Sequence, residues 1–399
     1  MTEPDCARGA GLKLLILAGE ASADLQGANL VAALKRIAPA LDIVAVGGPR
    51  MRAAGARVVQ DSTCLSFIGM WEVVLKYPLL LSLYRRVQRI IRDERPDHVV
   101  LIDAPGFNMR LAPLARSLGI PTTYYFPPSA WSPSVERARR IADAVDHVVA
   151  TFEFTADVYR KAGREVAFFG HPMADMPSPG TPAELRQRLA LPLDKKIVAV
   201  LPGSRANEIR MLTPVLLESV RQLALRNPGL HFVVPIAMPG LAGLVRDTLR
   251  KHGADDLPLT VIQGQGTETM GSSDLVLMAS GSASLEAALL GVPMVLIYRL
   301  TRVDWFLAPY FIKDFTFMGL PNLMVGEAIV PELLQDEARP ERIVAEAEAL
   351  LPDGARREKM KEDLFRVKKQ LGAPGVVDRV AHHIWEKAFL GHGRRHHHQ

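Results

Sequence analysis

The stretch KIVAVLPGSRANEIR, residues 196–210, decides the fold. Its apolar part, residues 197–200, is short and rich in β-branched side chains, which is typical of a buried strand. Pro202 and Gly203 end that strand, and a helix is predicted to begin directly after them with Ser204 as its cap. A strand that enters a helix through a glycine turn is the repeating unit of a parallel α/β sheet.

The same unit recurs along the chain. Five apolar runs, each followed by a helix-like segment, precede residue 171: LKLLILAG, LDIVAVGG, HVVLIDAP, TTYYFPP and HVVATF. The proline-rich stretch HPMADMPSPGTPAE, residues 171–184, then predicts a linker, and the pattern resumes with KIVAVLPGS, HFVVPIA, LTVIQG, DLVLMAS and PMVLIYR. We predict two doubly wound α/β domains, residues 1–175 and 190–370, with a ligand cleft between them.

Composition limits the classes of partner. The 48 basic and 43 acidic residues give a net charge of +5, which suits an anionic substrate or an anionic membrane surface. No basic run interleaved with aromatic residues occurs, so nucleic acid is not an expected partner. Cys6 and Cys64 form no CxxC pair, which fits a reducing cytoplasm and supports no metal site. The N-terminus predicts a first strand instead of a signal peptide, and a soluble or peripheral protein is expected.

Two loops of the second domain predict a binding site for a diphosphate. Gly203 allows close backbone approach, the helix start favours negative charge, and Arg205 offers a fork of donors. The second loop follows another strand and contains small residues at Ser280, Gly281, Ser282 and Ser284. Glu286 follows one turn later, where a carboxylate suits a ribose diol. No Walker A motif is present, and GQGTET at 264–269 lacks the third glycine of a dinucleotide fingerprint.

Strand ends of the first domain supply the candidate acceptor side. Gly19 permits a tight turn, and Ser22 or Asp24 is a candidate cap for a helix that begins near Leu25. Asp103 follows four apolar residues, at the mouth of a strand where a carboxylate can act as general base, although an aspartate there more often caps a helix. Asn108 is interpreted as structural.

Residues 67–93 are unusual in carrying an apolar half followed by a basic half. The candidate membrane residues are Phe67, Ile68, Met70, Trp71, Leu75, Leu79, Arg85 and Arg86. An apolar surface beside a basic one can rest on an anionic bilayer. The alternative is a core helix with a solvated basic face.

Eight motifs in order make a resemblance specific. They are GEASADLQGA, GGPRM, IDAPGFN, GHPMAD, LPGSRANEI, ASGSASLE, PMVLIYR and LPNLMVGEAIVPELLQ. Together they resemble lipid-A-disaccharide synthases, which are glycosyltransferases of the GT-B fold in glycosyltransferase family 19. The resemblance implies transfer of 2,3-diacylglucosamine from its UDP donor to the 6-hydroxyl of 2,3-diacylglucosamine 1-phosphate, with release of UDP. It also implies a peripheral enzyme on the cytoplasmic face of the inner membrane.

The resemblance also implies roles for individual residues. Asp103 is the candidate base, and Gly106 replaces a second aspartate that the family commonly has nearby. Arg205 and the loop amides would hold the pyrophosphate without a metal ion or other cofactor, and Glu286 would bind ribose. Further motif positions on the donor side are Asn322 and Gln335, and those on the acceptor side are Ser129 and Trp131.

Other interpretations stay open at this stage. A UDP-N-acetylglucosamine 2-epimerase would share the fold and the nucleotide grip, and a related GT-B enzyme would differ in its acceptor. A binding protein without catalysis is the third alternative. The amphipathic C-terminal helix, at about 374–391, can pack on the first domain or on a second copy, so a homodimer is also open.

Overall fold

The structure is a computed structural model that describes residues 11–19, 21–62, 77–128, 134–236, 239–300 and 317–396. The chain forms two units, which divide after Asp175 and again after Gln370. Residues up to Asp175 and from Leu371 onward make the first unit, and Met176–Gln370 make the second. Each unit is built on its own parallel sheet with crossover helices, which confirms the predicted α/β fold class.

The first unit alternates strands with helices. Its strands are β1 (Lys13–Ala18), β2 (Asp42–Gly47), β3 (Arg57–Asp61), β4 (His98–Ile102), β5 (Thr122–Tyr125), β6 (His147–Ala150) and β7 (Ala167–Phe168). Its first helices are α1 (Ala21–Ile37), α2 (Pro49–Ala53), α3 (Tyr77–Glu94), α4 (Pro105–Ser117), α5 (Val135–Ala144) and α6 (Glu153–Lys161). The strands pair in the order β3-β2-β1-β4-β5-β6-β7.

The second unit repeats the design. Its strands are β8 (Lys196–Leu201), β9 (Leu230–Ile236), β10 (Leu259–Gln263), β11 (Leu275–Ala279), β12 (Met294–Tyr298) and β13 (Glu332–Leu334). Its helices are α7 (Pro182–Arg188), α8 (Ala206–Arg226), α9 (Ala242–Lys251), α10 (Gly266–Gly271), α11 (Ala283–Leu289), α12 (Leu320–Val325), α13 (Pro340–Leu350) and α14 (Ala355–Gln370). The strand order is β10-β9-β8-β11-β12-β13.

Helices cover both faces of the first sheet, which explains its continuous apolar strands. Leu14 and Ile16 of β1 belong to a core that includes α1, whereas Leu15 and Leu17 face a core that includes α3, α4, α5 and α6. Successive side chains of a strand point to opposite faces, so a strand that is buried on both sides needs apolar residues throughout.

The last helix, α15 (Val376–His396), returns to the first unit and joins the core that contains α1. Asp175 fixes its start, because Oδ1 accepts hydrogen bonds from the backbone N–H groups of Gly375 (2.5 Å) and Val376 (3.0 Å). Oδ2 accepts a third from Val377 at 2.8 Å. One carboxylate therefore supplies acceptors to several amides at a helix start that have no partner within the helix.

Both sheets have a topological switch point beside their first strand. In the first unit the chain moves outward from β1 through β2 and β3, then restarts on the other side with β4. In the second unit β8 and β11 are the neighbours on either side of the switch. Open α/β sheets bind ligands just outside the carboxyl ends of such strands. The candidate ligand-binding loops are therefore those after β1 and β4 in the first unit and those after β8 and β11 in the second.

Candidate active site

The loop after β8 is shaped by Gly203 and closed by Glu208. Gly203 has φ +122°, which strains a residue with a side chain, and a Cβ there would also lie 2.6 Å from Glu208 Cβ, so both the backbone and the space favour glycine. The Glu208 carboxylate accepts the Ser204 N–H at 3.0 Å and pairs with Arg205 Nη1 at 3.1 Å. Arg205 is about half exposed at this strand end, with a side-chain relative exposure of 48%.

The cap predicted at Ser204 is wrong. Helix α8 begins at Ala206, its N-cap residue is Arg205, and no side chain caps it. Glu208 therefore occupies the third helical position, from which its carboxylate reaches back to the Ser204 amide. This contact is not a capping box on Ser204, because Glu208 follows Ser204 by four residues and the helix starts one residue later than predicted.

The loop after β11 uses its serines unequally. Ser280 Oγ donates to the carbonyl of Met318 at 3.2 Å, and the buried Ser284 donates to the carbonyl of Gly281 at 2.7 Å. Ser282 is the N-cap residue of α11 and is exposed, with no side-chain cap bond. The backbone and Ser282 therefore form the accessible part of this loop, while Ser280 and Ser284 hold its shape.

Glu286 lies one turn into α11, partly buried, and Thr267 on α10 donates a hydrogen bond to its Oε2 at 2.8 Å. Burial raises the pKa of Glu286 above its ordinary value, because desolvation disfavours the charged form, and the Thr267 hydrogen bond opposes part of that rise. Sequence reasoning missed Thr267, although it stands in the GQGTET turn that was considered only as a dinucleotide motif.

Asn322 is completely buried, and both polar atoms of its side chain are hydrogen-bonded to residues of the second unit. Its Nδ2 donates to Val330 O (2.9 Å) and Glu332 Oε1 (2.7 Å), and its Oδ1 accepts from the amides of Ile329 and Val330. The Glu332 carboxylate, which sequence reasoning missed, also accepts the amides of Met318 and Gly319. Asn322 and Glu332 thus fix the start of α12 from inside.

Gln335 fastens the end of β12. Its Oε1 accepts the Leu300 N–H at 2.8 Å, and its Nε2 donates to the Leu300 carbonyl at 3.4 Å. The residue itself has φ +49°, which a non-glycine residue adopts only when its surroundings hold it. The structure gives Gln335 a local role in shape, and direct contact with a donor stays a prediction.

In the first unit, Asp103 lies at the end of β4, next to the loop after β1 that carries Gly19. Asp103 and Ala104 have φ +49° and +44°, two consecutive left-handed residues that each cost about 1 kcal/mol or more. Helix α4 begins at Pro105 with Ala104 as its N-cap residue, so the alternative role of Asp103 as that cap residue is not observed. Asn108 is structural as interpreted, since its Nδ2 bonds the carbonyls of Ile102 and Asp103.

The helix start predicted near Leu25 is also wrong. Helix α1 begins at Ala21, so Ser22 is an exposed residue of its first turn and not its cap residue. Asp24 is buried and caps a different helix: its carboxylate accepts the amides of Gly48 (2.7 Å), Arg50 (3.1 Å) and Met51 (3.2 Å) at the start of α2. The GEASADLQGA and GGPRM motifs therefore meet in space.

The candidate membrane residues are only partly described. Phe67, Ile68, Met70, Trp71 and Leu75 lie outside the described residues, as do Ser129 and Trp131. Helix α3 buries one stripe in the core and exposes its other face, with Leu79 half exposed and Arg85 and Arg86 exposed. In the described part of the chain, no helix is long and apolar enough to cross a membrane.

Across the described ranges, no group of three or more His, Cys, Asp or Glu side chains could hold a metal ion.

Comparison with known proteins gives the family. The family model for lipid-A-disaccharide synthetase matches residues 14–381. The lipid-A-disaccharide synthase of Anaeromyxobacter dehalogenans is 38% identical over 93% of this chain and 96% of its own length. That of Pseudomonas aeruginosa is 37% identical over 93% of this chain and 97% of its own. This chain belongs to the lipid-A-disaccharide synthase family. It is a glycosyltransferase, and its function lies in lipid A biosynthesis.

Solved structures show the fold but do not distinguish an epimerase from a synthase. The UDP-GlcNAc 2-epimerase of Neisseria meningitidis, solved with UDP-GlcNAc bound, superimposes with a TM-score of 0.67 over 94% of this chain and all of its own. Its sequence is only 14% identical, so the likeness shows a shared GT-B-type fold alone. Sequence identity across the whole chain lies with the synthases, which decides between the two enzyme classes that the sequence left open.

Proposed function

We propose that this enzyme transfers 2,3-diacylglucosamine from its UDP donor to the 6-hydroxyl of 2,3-diacylglucosamine 1-phosphate. The observation that carries the proposal is the pair of loops at the switch point of the second unit, after β8 and β11. The long helix α8 offers the positive end of its dipole, and Arg205 offers a fork of donors to phosphate oxygens. A UDP diphosphate fits this chemistry, with Glu286 as the ribose ligand.

Asp103 acts as the general base in this scheme. The acceptor hydroxyl oxygen attacks the anomeric carbon while its proton passes to the Asp103 carboxylate, and the bond from that carbon to the diphosphate oxygen breaks. The configuration inverts because attack and departure take place on opposite faces, and UDP leaves with the bonding electron pair. Arg205 and the loop amides stabilise the departing charge, so we propose that no metal ion or other cofactor is needed.

The test is UDP release from UDP-2,3-diacylglucosamine with and without the acylated glucosamine 1-phosphate. Release should depend on the acceptor, and mass spectrometry should find a disaccharide monophosphate. Release at an equal rate without acceptor would contradict the proposal and would favour hydrolysis or epimerisation of the donor. Turnover in excess EDTA should match turnover without it.

Donor affinity should weaken at acidic pH because of Glu286. The pKa of its buried carboxyl is raised, so Glu286 takes up a proton at higher pH than an exposed glutamate and then loses the ionised acceptor for the ribose hydroxyls. The UDP dissociation constant should therefore rise as pH falls through this raised pKa. Isothermal titration of UDP from pH 5 to pH 8 measures the effect.

Two variants separate this effect from protonation of UDP itself. Glu286→Gln keeps only the pH dependence of the ligand, and its curve is the baseline. Thr267→Val removes the hydrogen bond that lowers the pKa of Glu286, so the acidic loss of affinity should begin at higher pH. Identical curves for wild type and Glu286→Gln would exclude Glu286 as the ribose ligand.

We further propose that the enzyme is cytoplasmic and rests on the inner face of the cytoplasmic membrane through α3. The supporting observation is the exposed basic face of this helix: Arg85, Arg86, Arg89 and Arg92. Basic residues near an anionic surface contribute about 1 kcal/mol each, and the half-exposed Leu79 adds apolar contact at the same helix.

Charge reversal on α3 should weaken binding to anionic vesicles. The double variant Arg85→Glu/Arg89→Glu should lose more than tenfold in affinity for vesicles that contain phosphatidylglycerol, because each reversal replaces attraction by repulsion. Arg246→Glu/Arg250→Glu is the matched control, since these arginines are four residues apart on α9 and exposed. Equal sedimentation of both variants with the vesicles would rule out α3 as the contact.

A further inference from the structure

The turn at Asp103 is held by bonds to its backbone. Asp103 and Ala104 both adopt left-handed φ angles of +49° and +44°, which carry an energetic cost for residues with a Cβ. Such a turn persists only where neighbouring groups over-determine it. The groups that hold this turn also set the direction of the Asp103 side chain, because that direction follows from the backbone.

Two buried side chains converge on one oxygen. The Tyr124 hydroxyl donates to the Asp103 carbonyl at 2.9 Å, and Asn108 Nδ2 donates to the same carbonyl at 2.7 Å. The Asp103 N–H in turn donates to the carbonyl of Tyr125 at 3.2 Å. Tyr124 and Asn108 have no exposed surface, so both donors are fixed by the packing around them.

The Tyr124 hydroxyl keeps its proton at ordinary pH and therefore remains a hydrogen-bond donor. Burial raises the pKa of its hydroxyl well above the usual value, and the charge of nearby Asp103 adds to the rise. Its ring is part of the core that includes α3 and α4, which fixes the hydroxyl relative to the end of β4. Tyr124 stands in TTYY, outside the eight motifs of the family resemblance, whereas Asn108 lies inside one of them.

We propose that Tyr124 is a positioning residue for the catalytic base, holding the left-handed turn that aims the Asp103 carboxylate at the acceptor hydroxyl. This inference rests on the proposed function of Asp103. It assigns Tyr124 no contact with substrate, and it places its effect on the chemical step instead of on donor binding, because the donor loops belong to the second unit.

The test is Tyr124→Phe in the full-length enzyme, with kcat, the donor KM and UDP affinity measured together. We expect kcat to fall roughly tenfold, since small misplacement of a catalytic group is costly, while donor KM and UDP affinity stay at wild-type values. Tyr159→Phe is the matched control: Tyr159 is fully buried in the same core, and its hydroxyl has no hydrogen-bond partner in the part of the chain that is described. It should keep wild-type kcat.

A double-mutant cycle separates positioning from a general structural role. If Tyr124 acts only through Asp103, then Tyr124→Phe should not lower the residual rate of Asp103→Ala any further. An equal tenfold loss in that background, or wild-type kcat for Tyr124→Phe, would overturn the inference. Wild-type enzyme without acceptor-dependent UDP release would instead overturn the proposed function.

Discussion

Asp103→Ala should lower kcat by roughly 10²- to 10⁴-fold and leave UDP affinity unchanged. The reason is that a general base acts only on the acceptor hydroxyl in the transition state, whereas the donor loops lie on other strands in the second unit. The nearby Gly106 has no side chain and so offers no substitute base. Steady-state kinetics with both lipid substrates, together with UDP calorimetry, measure the two effects separately.

A surface aspartate gives the control for that experiment. Asp143 lies in the first unit with its side chain 49% exposed, in an ion pair with Arg164, and Asp143→Ala should keep wild-type kcat. Asp103→Asn should resemble Asp103→Ala, because the amide keeps the shape of the side chain without its basicity. Near-wild-type turnover for both substitutions at 103 would remove Asp103 as the base.

The strands were predictable because a strand that is buried on both faces is a continuous run of apolar residues, which is visible in the sequence. Every apolar run that the sequence marked is a strand of one of the two sheets, and the strand ends placed Asp103 and Arg205 at the switch points. The strands without a signal are β3, β7 and β13. All three are sheet edges: β3 alternates exposed and half-exposed residues, and β7 and β13 have only two and three residues.

Helix starts were less predictable because the groups that fix them are distant in sequence. Asp24 looks like a cap for its own helix, yet its carboxylate accepts the amides of Gly48, Arg50 and Met51. Asp175 caps a helix that begins 201 residues later, at Val376. Local spacing cannot reveal such contacts, since they exist only after the sheet has brought the segments together.

The buried polar groups of the second unit were unpredictable for a similar reason. The sequence indicated Asn322 only as a motif position and did not indicate its partner Glu332. The reason is that a buried asparagine or glutamate cannot be told from an exposed one by its sequence alone. The sequence could indicate which residues lie at strand ends, since that follows from periodicity. It could not indicate whether a polar side chain faces the ligand or the core.

Arg205→Ala should lower kcat by roughly 10²- to 10³-fold and also raise the donor KM. Its guanidinium lies at the start of α8, where the N–H groups of the first turn and the helix dipole favour negative charge. Negative charge on the diphosphate grows as the bond to the sugar breaks, so Arg205 stabilises the transition state more than the ground state. Removal of the side chain must then affect the rate as well as binding.

Arg205→Lys and Arg210→Ala sharpen the interpretation. Lysine keeps the charge but loses the planar fork, so Arg205→Lys should recover only part of the lost kcat. Arg210 is exposed on the same helix, farther from the loop, and Arg210→Ala should be close to wild type. If Arg205→Ala raised KM with an unchanged kcat, Arg205 would merely hold the donor, and stabilisation of the leaving group would have to come from the loop amides alone.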